Sequence, residues 1–213
     1  MSDTAEEQKR LERLVAERQR TLGKEHPETL SAMLDLADSL WVQGRLIAAC
    51  KLENQVVAGR RRLLGEQHFD TLKASGKLAV TMAAQGDLTE ARELQARVVE
   101  GMSALYGDHG TETLRAINNL AGTVLAQGDL DAARELLESV VAATCREFGE
   151  EHADSVTAMG NLAVVLWQQG NRDEAYALQQ RVVALQRRGH DRSTQEACAA
   201  EEFLAMIERD AGF

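Results

Sequence analysis

The chain has 213 residues, enough for a sizeable core, yet only 4% are aromatic and a single proline occurs, Pro27. Long uninterrupted helices follow, because proline breaks helices whereas alanine and leucine, common along this chain, favour them. Its 34 acidic against 24 basic side chains leave a net charge of -10, which argues against nucleic acid or an anionic membrane as partner, since either needs a basic stripe.

Residues 11–22 read as the second helix of a pair whose first helix is missing. Leu14, Val15 and Leu22 fall 42 residues before Val56, Val57 and Leu64, but Glu7 and Arg10 stand where the later copy has Ala49 and Leu52. A polar start of this kind suits a capping half-unit whose outer face meets water, so residues 1–22 are read as an N-terminal half-repeat. The first ten residues show no apolar signal region, and no apolar run approaches the roughly 20 residues needed to span a bilayer.

Four copies in register follow, at 23–64, 65–106, 107–148 and 149–190. Gly23, Gly65, Gly107 and Gly149 open them, and Gly44, Gly86, Gly128 and Gly170 mark their middles. Between these columns run Leu36-Ala37, Leu78-Ala79, Leu120-Ala121 and Leu162-Ala163, with paired valines late in each copy from Val56-Val57 to Val182-Val183. A repeat of this period signals a stacked array in which one unit cannot bury its apolar face alone.

Each copy reads as helix A, a tight turn, helix B and a short loop. In the first, Leu30, Met33, Leu36, Ala37 and Leu40 recur at spacings of three and four, the stripe of an amphipathic helix, and Gly44 ends it. Helix B starts are marked by Asp87 with Glu90 and by Asn171 with Glu174, both capping boxes, whereas Arg45 offers no capping oxygen. The alanine columns let neighbouring helices approach to the usual 8–10 Å or so. The remainder, 191–213, is read as a C-terminal capping helix from about Thr194 to Arg209, keeping Leu204-Ala205 and Gly212 in register while Glu201, Glu202 and Glu208 replace apolar or small residues.

These residues resemble the tetratricopeptide repeat. The Leu-Ala pair, the turn glycine and the alanine column Ala49, Ala91, Ala133 and Ala175 carry the likeness, and the opening Leu22-Gly23-Lys24-Glu25-His26-Pro27-Glu28-Thr29-Leu30 is similar to the 42-residue repeats of kinesin light chains and their bacterial relatives. The resemblance implies an all-α, right-handed superhelical solenoid of helix-turn-helix repeats, non-enzymatic, binding a peptide segment or helix in its concave groove. It also implies that the face of helix A turned away from the core lines that groove. Asn118 and Asn119 match the paired asparagines that hold a bound peptide backbone in the kinesin-light-chain pattern, and Asn161 keeps one of the pair.

No constellation signals catalysis, a cofactor or a metal. His26, His68 and His152 share one column, with His109 one place off, but equivalent positions in stacked repeats are two helix layers apart and cannot share an ion with ligands near 2 Å. Cys50, Cys145 and Cys198 are an odd count at unrelated positions, so a reducing cytoplasm is expected rather than a disulfide framework. Arg60-Arg61-Arg62 and Arg187-Arg188 end helices B, where cations complement the helix dipole.

The groove columns give the candidate site: Lys73, Lys77, Arg115, Asn118, Asn119, Gly122, Asn161, Val164 and Trp167. Gly76, Gly122 and Gly160 each sit inside a helix A, where glycine costs about 1 kcal/mol relative to alanine, and are read as room for a ligand backbone. Positive charge at Lys73, Lys77 and Arg115 points to a protein or peptide partner with acidic and apolar residues, lying across repeats two to four with Trp167 at one end. Asp35 and Asp38 would repel its acidic part from repeat one. The alternative is a structural module that self-associates, for instance as a homodimer, through its ends or its convex face.

Overall fold

The computed structural model describes the backbone of residues 2–188 and 195–211, and side chains at 6–188 and 198–210. The expected helix start at Thr194 and the glycine at Gly212 lie outside the described residues. Those residues form ten helices and no strand: α1 (Ser2–Thr21), α2 (Pro27–Val42), α3 (Leu46–Leu64), α4 (Phe69–Gln85), α5 (Leu88–Tyr106), α6 (Thr111–Ala126), α7 (Leu130–Phe148), α8 (Ala153–Gln168), α9 (Arg172–Arg188) and α10 (Gln195–Ala211). Helix α1 starts well before residue 11, so the polar stretch around Glu7 is helical too. No described helix is long and apolar enough to cross a membrane.

Two compact units divide the chain, Met1–Leu105 and Tyr106–Phe213. In the first, α1 packs on α2, α2 on α3 and α3 on α4. In the second, each of α6 to α9 packs on its successor, and α6 also reaches α8.

The glycine columns have a backbone cause. All eight have positive φ, and no other described residue does. Gly86, at φ 96° and ψ 1°, ends α4 in the left-handed region, where an L side chain costs roughly 1–2 kcal/mol. The next residue, Asp87, donates its N–H to the Met82 carbonyl at 3.0 Å, closing the helix end in the Schellman manner. The same bond recurs from Arg45 to Leu40, Asp129 to Val124 and Asn171 to Leu166, so each helix A turns into its helix B alike.

The alanine columns are fully buried: Ala37, Ala79, Ala121 and Ala163 on helices A, and Ala49, Ala91, Ala133 and Ala175 on helices B, are all 0% exposed. Leu120 is only half-buried, unlike Leu36, Leu78 and Leu162 in its column. The larger core side chains of the second unit include Leu137 and Val165, at 1% and 0% exposure. Helix α10 is less peripheral than its glutamates suggest, since Ile207 is 0% exposed and Ala200 packs with Val156, Met159 and Val182. Arg45 makes no side-chain cap, as expected, whereas Asp129 accepts from the Ala132 N–H at 3.3 Å at the start of α7.

Candidate functional site

The loops that position each helix A have their own repeated chemistry. Nδ1 of His26, His68 and His152 accepts the backbone N–H two residues on, from Glu28, Asp70 and Asp154, at 3.3, 3.1 and 3.2 Å. These histidines are N-caps, which explains their column and leaves Nδ1 committed to the backbone. In the third repeat Gly110 takes the cap position and makes no side-chain bond, because His109 lies one residue early. Hydroxyls complete the entry: Thr29, Thr113 and Ser155 each donate to the carbonyl of the opening glycine of their loop, Gly23, Gly107 and Gly149, at 2.8 Å.

In the first unit, the open side of α2 and α4 is more occupied than the columns suggest. Lys77 Nζ lies 2.5 Å from both carboxylate oxygens of Asp38, joining α4 to α2. Asp38 is thus neutralised in place, and Lys77 is not a spare cation. Lys73 is exposed, with its ammonium 5.7 Å from the Phe69 ring centroid. Leu34 on α2 is a core residue at 8% exposure. Gly76 likewise turns toward its own helix B: a Cβ there would stand 3.7 Å from Val98 Cγ1, an ordinary contact with α5 rather than open space for a ligand.

The second unit holds the better-formed face. Arg115 on α6 donates through Nε and Nη2 to the two oxygens of Asp154 on α8, at 2.9 and 3.1 Å, with Glu112 3.5 Å away. The hydrogen bond to Asp154 raises the guanidinium above its usual range, so Arg115 too is already compensated. One turn further along, Asn161 Nδ2 donates to Asn118 Oδ1 at 3.0 Å, bridging α8 to α6. Both amides are half-buried, and Asn119 beside them is exposed. An amide offers two donors and two acceptor sites, so this single bond leaves donor and acceptor capacity on both partners.

Apolar groups continue the face. Val164 and Trp167 are half-buried on α8, as is Leu125 on α6, and the Arg172 guanidinium lies 5.1 Å from the Trp167 ring centroid. Gly122 is exposed, and a Cβ built there meets nothing within 4 Å. Gly160 differs, since its Cβ would sit 3.9 Å from Val182 Cγ1 on α9. Of the three helix-A glycines, Gly122 alone has the open space expected of all three.

The arginine runs are engaged elsewhere. Arg60 donates to the Asp70 carbonyl at 2.9 Å, and burial lowers its guanidinium from the usual range. Arg61 pairs with Glu66 at 2.9 Å, Arg62 with Glu25 at 2.6 Å and Arg187 with Glu201 at 3.0 Å. Among the described residues no group of three His, Cys, Asp or Glu side chains has the arrangement to hold a metal ion.

One buried column is not evident from residue type. Glu53, Gln95, Leu137 and Gln179 occupy equivalent places on α3, α5, α7 and α9, and all are 1–2% exposed. The 42-residue step links them, but polar residue types did not mark them as core.

The tetratricopeptide repeat family model matches the chain three times in overlapping register, at residues 32–102, 70–146 and 112–188. Among solved structures, the nearly identical TPR-like repeats of a candidate kinesin light chain from Podosopora anserina are 31% identical in two crystal structures. One is of a variant with a glutamine replaced by methionine and superposes with a TM-score of 0.73, covering 87% of each chain. The other gives 0.71, covering 87% of this chain and 88% of that one. BtubC (BKLC) from P. vanneervenii, at 18% identity, has the same fold with a TM-score of 0.77 over 98% of this chain and 84% of that one. No curated protein matches the chain.

Proposed function

We propose, from the premise that this chain belongs to the tetratricopeptide repeat family in its 42-residue, kinesin-light-chain-like form, that it is a non-enzymatic scaffold holding a peptide segment on the helix-A face of its second unit. Repeats of this family generally mediate protein–protein interactions. The observation that carries the reading is the amide bridge from Asn161 to Asn118 with Asn119 exposed beside it. Backbone N–H and C=O groups of an extended segment need partners of both kinds, and amides supply them whatever the segment's side chains. Gly122 leaves the space for that backbone, while Val164 and Trp167 offer apolar contact.

Arg115 sets the polar preference. Its fork is held by Asp154, so an acidic side chain of the ligand binds by sharing or replacing that carboxylate. Within the first unit, described by itself, Lys73 and Lys77 offer the same chemistry, Lys77 by exchange with Asp38. Peptides enriched from a displayed library on the purified chain and titrated calorimetrically test this. Asn119→Ala and, separately, Arg115→Glu should each weaken binding several-fold. Unchanged affinity in both variants places the site on another surface.

A second reading, self-association, is favoured by large apolar side chains left in solvent around the turn from α2 to α3, where Val42 and Ile47 are 74% and 69% exposed. Light scattering across a concentration series tests it, and a constant monomer mass removes it.

A further inference from the structure

The column of Glu53, Gln95, Leu137 and Gln179 contains one ionisable group, and it is almost sealed from water. Glu53 is 2% exposed on α3, at the joint with α4. Its Oε1 accepts from the Thr81 hydroxyl at 3.0 Å, while its Oε2 is buried with no hydrogen-bond partner. An ionised carboxylate buried in this way would need several donors or a cation. The cation within reach is Lys77 on α4, and it is bound by both oxygens of Asp38 on α2.

The other repeats show what this slot accepts. Gln95 and Gln179 are uncharged and as deeply buried, and Gln179 Nε2 donates across to the Ala200 carbonyl on α10 at 2.8 Å. In the third repeat Leu137 fills the slot and packs in one apolar cluster with Val165, which occupies the column of Thr81. Three neutral residues in four equivalent places define a site for a neutral side chain. A glutamate meets that requirement as the protonated acid, which has nearly the shape of glutamine.

We propose that Glu53 is a proton-dependent joint, clamping α3 to α4 as the neutral acid and loosening the first unit when it ionises. The groups that face it are Asp38 from α2, Lys77 and Thr81 from α4, and the Cys50 thiol on its own helix. Burial is the largest influence and raises the carboxyl, Thr81 opposes it, Asp38 adds to it and Lys77 subtracts. A folded value raised above the unfolded one, about 4.3, gives stability that is complete below that pH. It is lost as pH rises through the folded value, because between the two values the folded state holds a proton that the unfolded chain has released.

Glu53→Gln supplies the control, since glutamine already folds into the slot at 95 and 179. Urea unfolding of the whole chain and of Glu53→Gln is compared from pH 4 to pH 9, alongside a carbon-13 titration of the Glu53 carboxyl. The midpoints should nearly coincide at pH 4, with the variant pulling ahead as pH rises, and the carboxyl should titrate above the ordinary glutamate range. Hydrogen-exchange protection in α3 and α4, taken relative to the intrinsic base-catalysed rate at each pH, should fall over the same interval in the natural chain only. A midpoint gap that is constant with pH, or a carboxyl titrating near 4.3, overturns the proposal.

Discussion

Gly122 separates the two reasons a helix tolerates glycine. A Cβ there meets nothing within 4 Å, so Gly122→Ala should stabilise the chain by about 1 kcal/mol through helix propensity. If a ligand backbone lies against that place, the same methyl group weakens binding. A variant that is more stable in urea yet binds as before would show that the space is empty for another reason. Gly86 gives the opposite sign, because at φ 96° alanine is strained, and Gly86→Ala should lower stability by roughly 1–2 kcal/mol. The histidine caps belong to the same scale. Replacing His152 by alanine removes the acceptor for the Asp154 N–H and should cost about 0.5–2 kcal/mol, measurable as a lower thermal midpoint.

At the scale of helices, burial ranks the substitutions. Leu137→Ala should cost roughly 2–5 kcal/mol, the range for a large buried side chain cut to alanine, because Leu137 is 1% exposed. Leu120 and Leu204, both half-buried, should cost less. Ile207→Ala on α10 should resemble Leu137 rather than Leu204, since Ile207 is 0% exposed on a helix that packs against α9. Denaturant midpoints for the four variants check this order, and a negligible loss at Ile207 would show that α10 is only loosely attached.

The helices themselves were legible because one signal was written four times. Turn glycines, buried alanines and apolar stripes each follow from backbone or packing constraints that act on every repeat, so the columns carried them. Pair contacts were less legible. The bond between Lys77 and Asp38 joins residues 39 apart, as does that between Arg115 and Asp154, so each links a helix A to the next at a spacing that is not the repeat period. The columns therefore showed Lys77 and Arg115 without tying them to Asp38 and Asp154. Gly76 and Gly160 were misplaced for a related reason: a modest rotation around the helix separates the open face from the one that meets Val98 and Val182. Glu53 and its glutamine counterparts are not legible as core residues, because polar side chains are ordinarily exposed.

For the whole molecule the charge balance decides how a ligand arrives. With a net charge of -10 and both Lys77 and Arg115 paired to carboxylates, no strong positive field is available to draw in an acidic segment. The association rate of an acidic peptide should therefore rise with added salt, as the Debye length shortens to about 8 Å at physiological ionic strength. A rate that falls with salt would mean that Lys73 and its neighbours outweigh the net charge. Specific holding would then come from the amides and the apolar side chains after contact, which is where variants should act on the dissociation rate.

The most direct measurement is an amide chemical-shift map of the chain with a library-selected peptide added in steps. Saturable shifts centred on Asn118, Asn119 and Gly122 of α6 and on Asn161, Val164 and Trp167 of α8 are expected, with exposed positions of α7 and α9 such as Glu135 and Arg181 left in place. Shifts that gather on α7 and α9 while α6 and α8 stay unmoved would contradict the assignment of the peptide to this face.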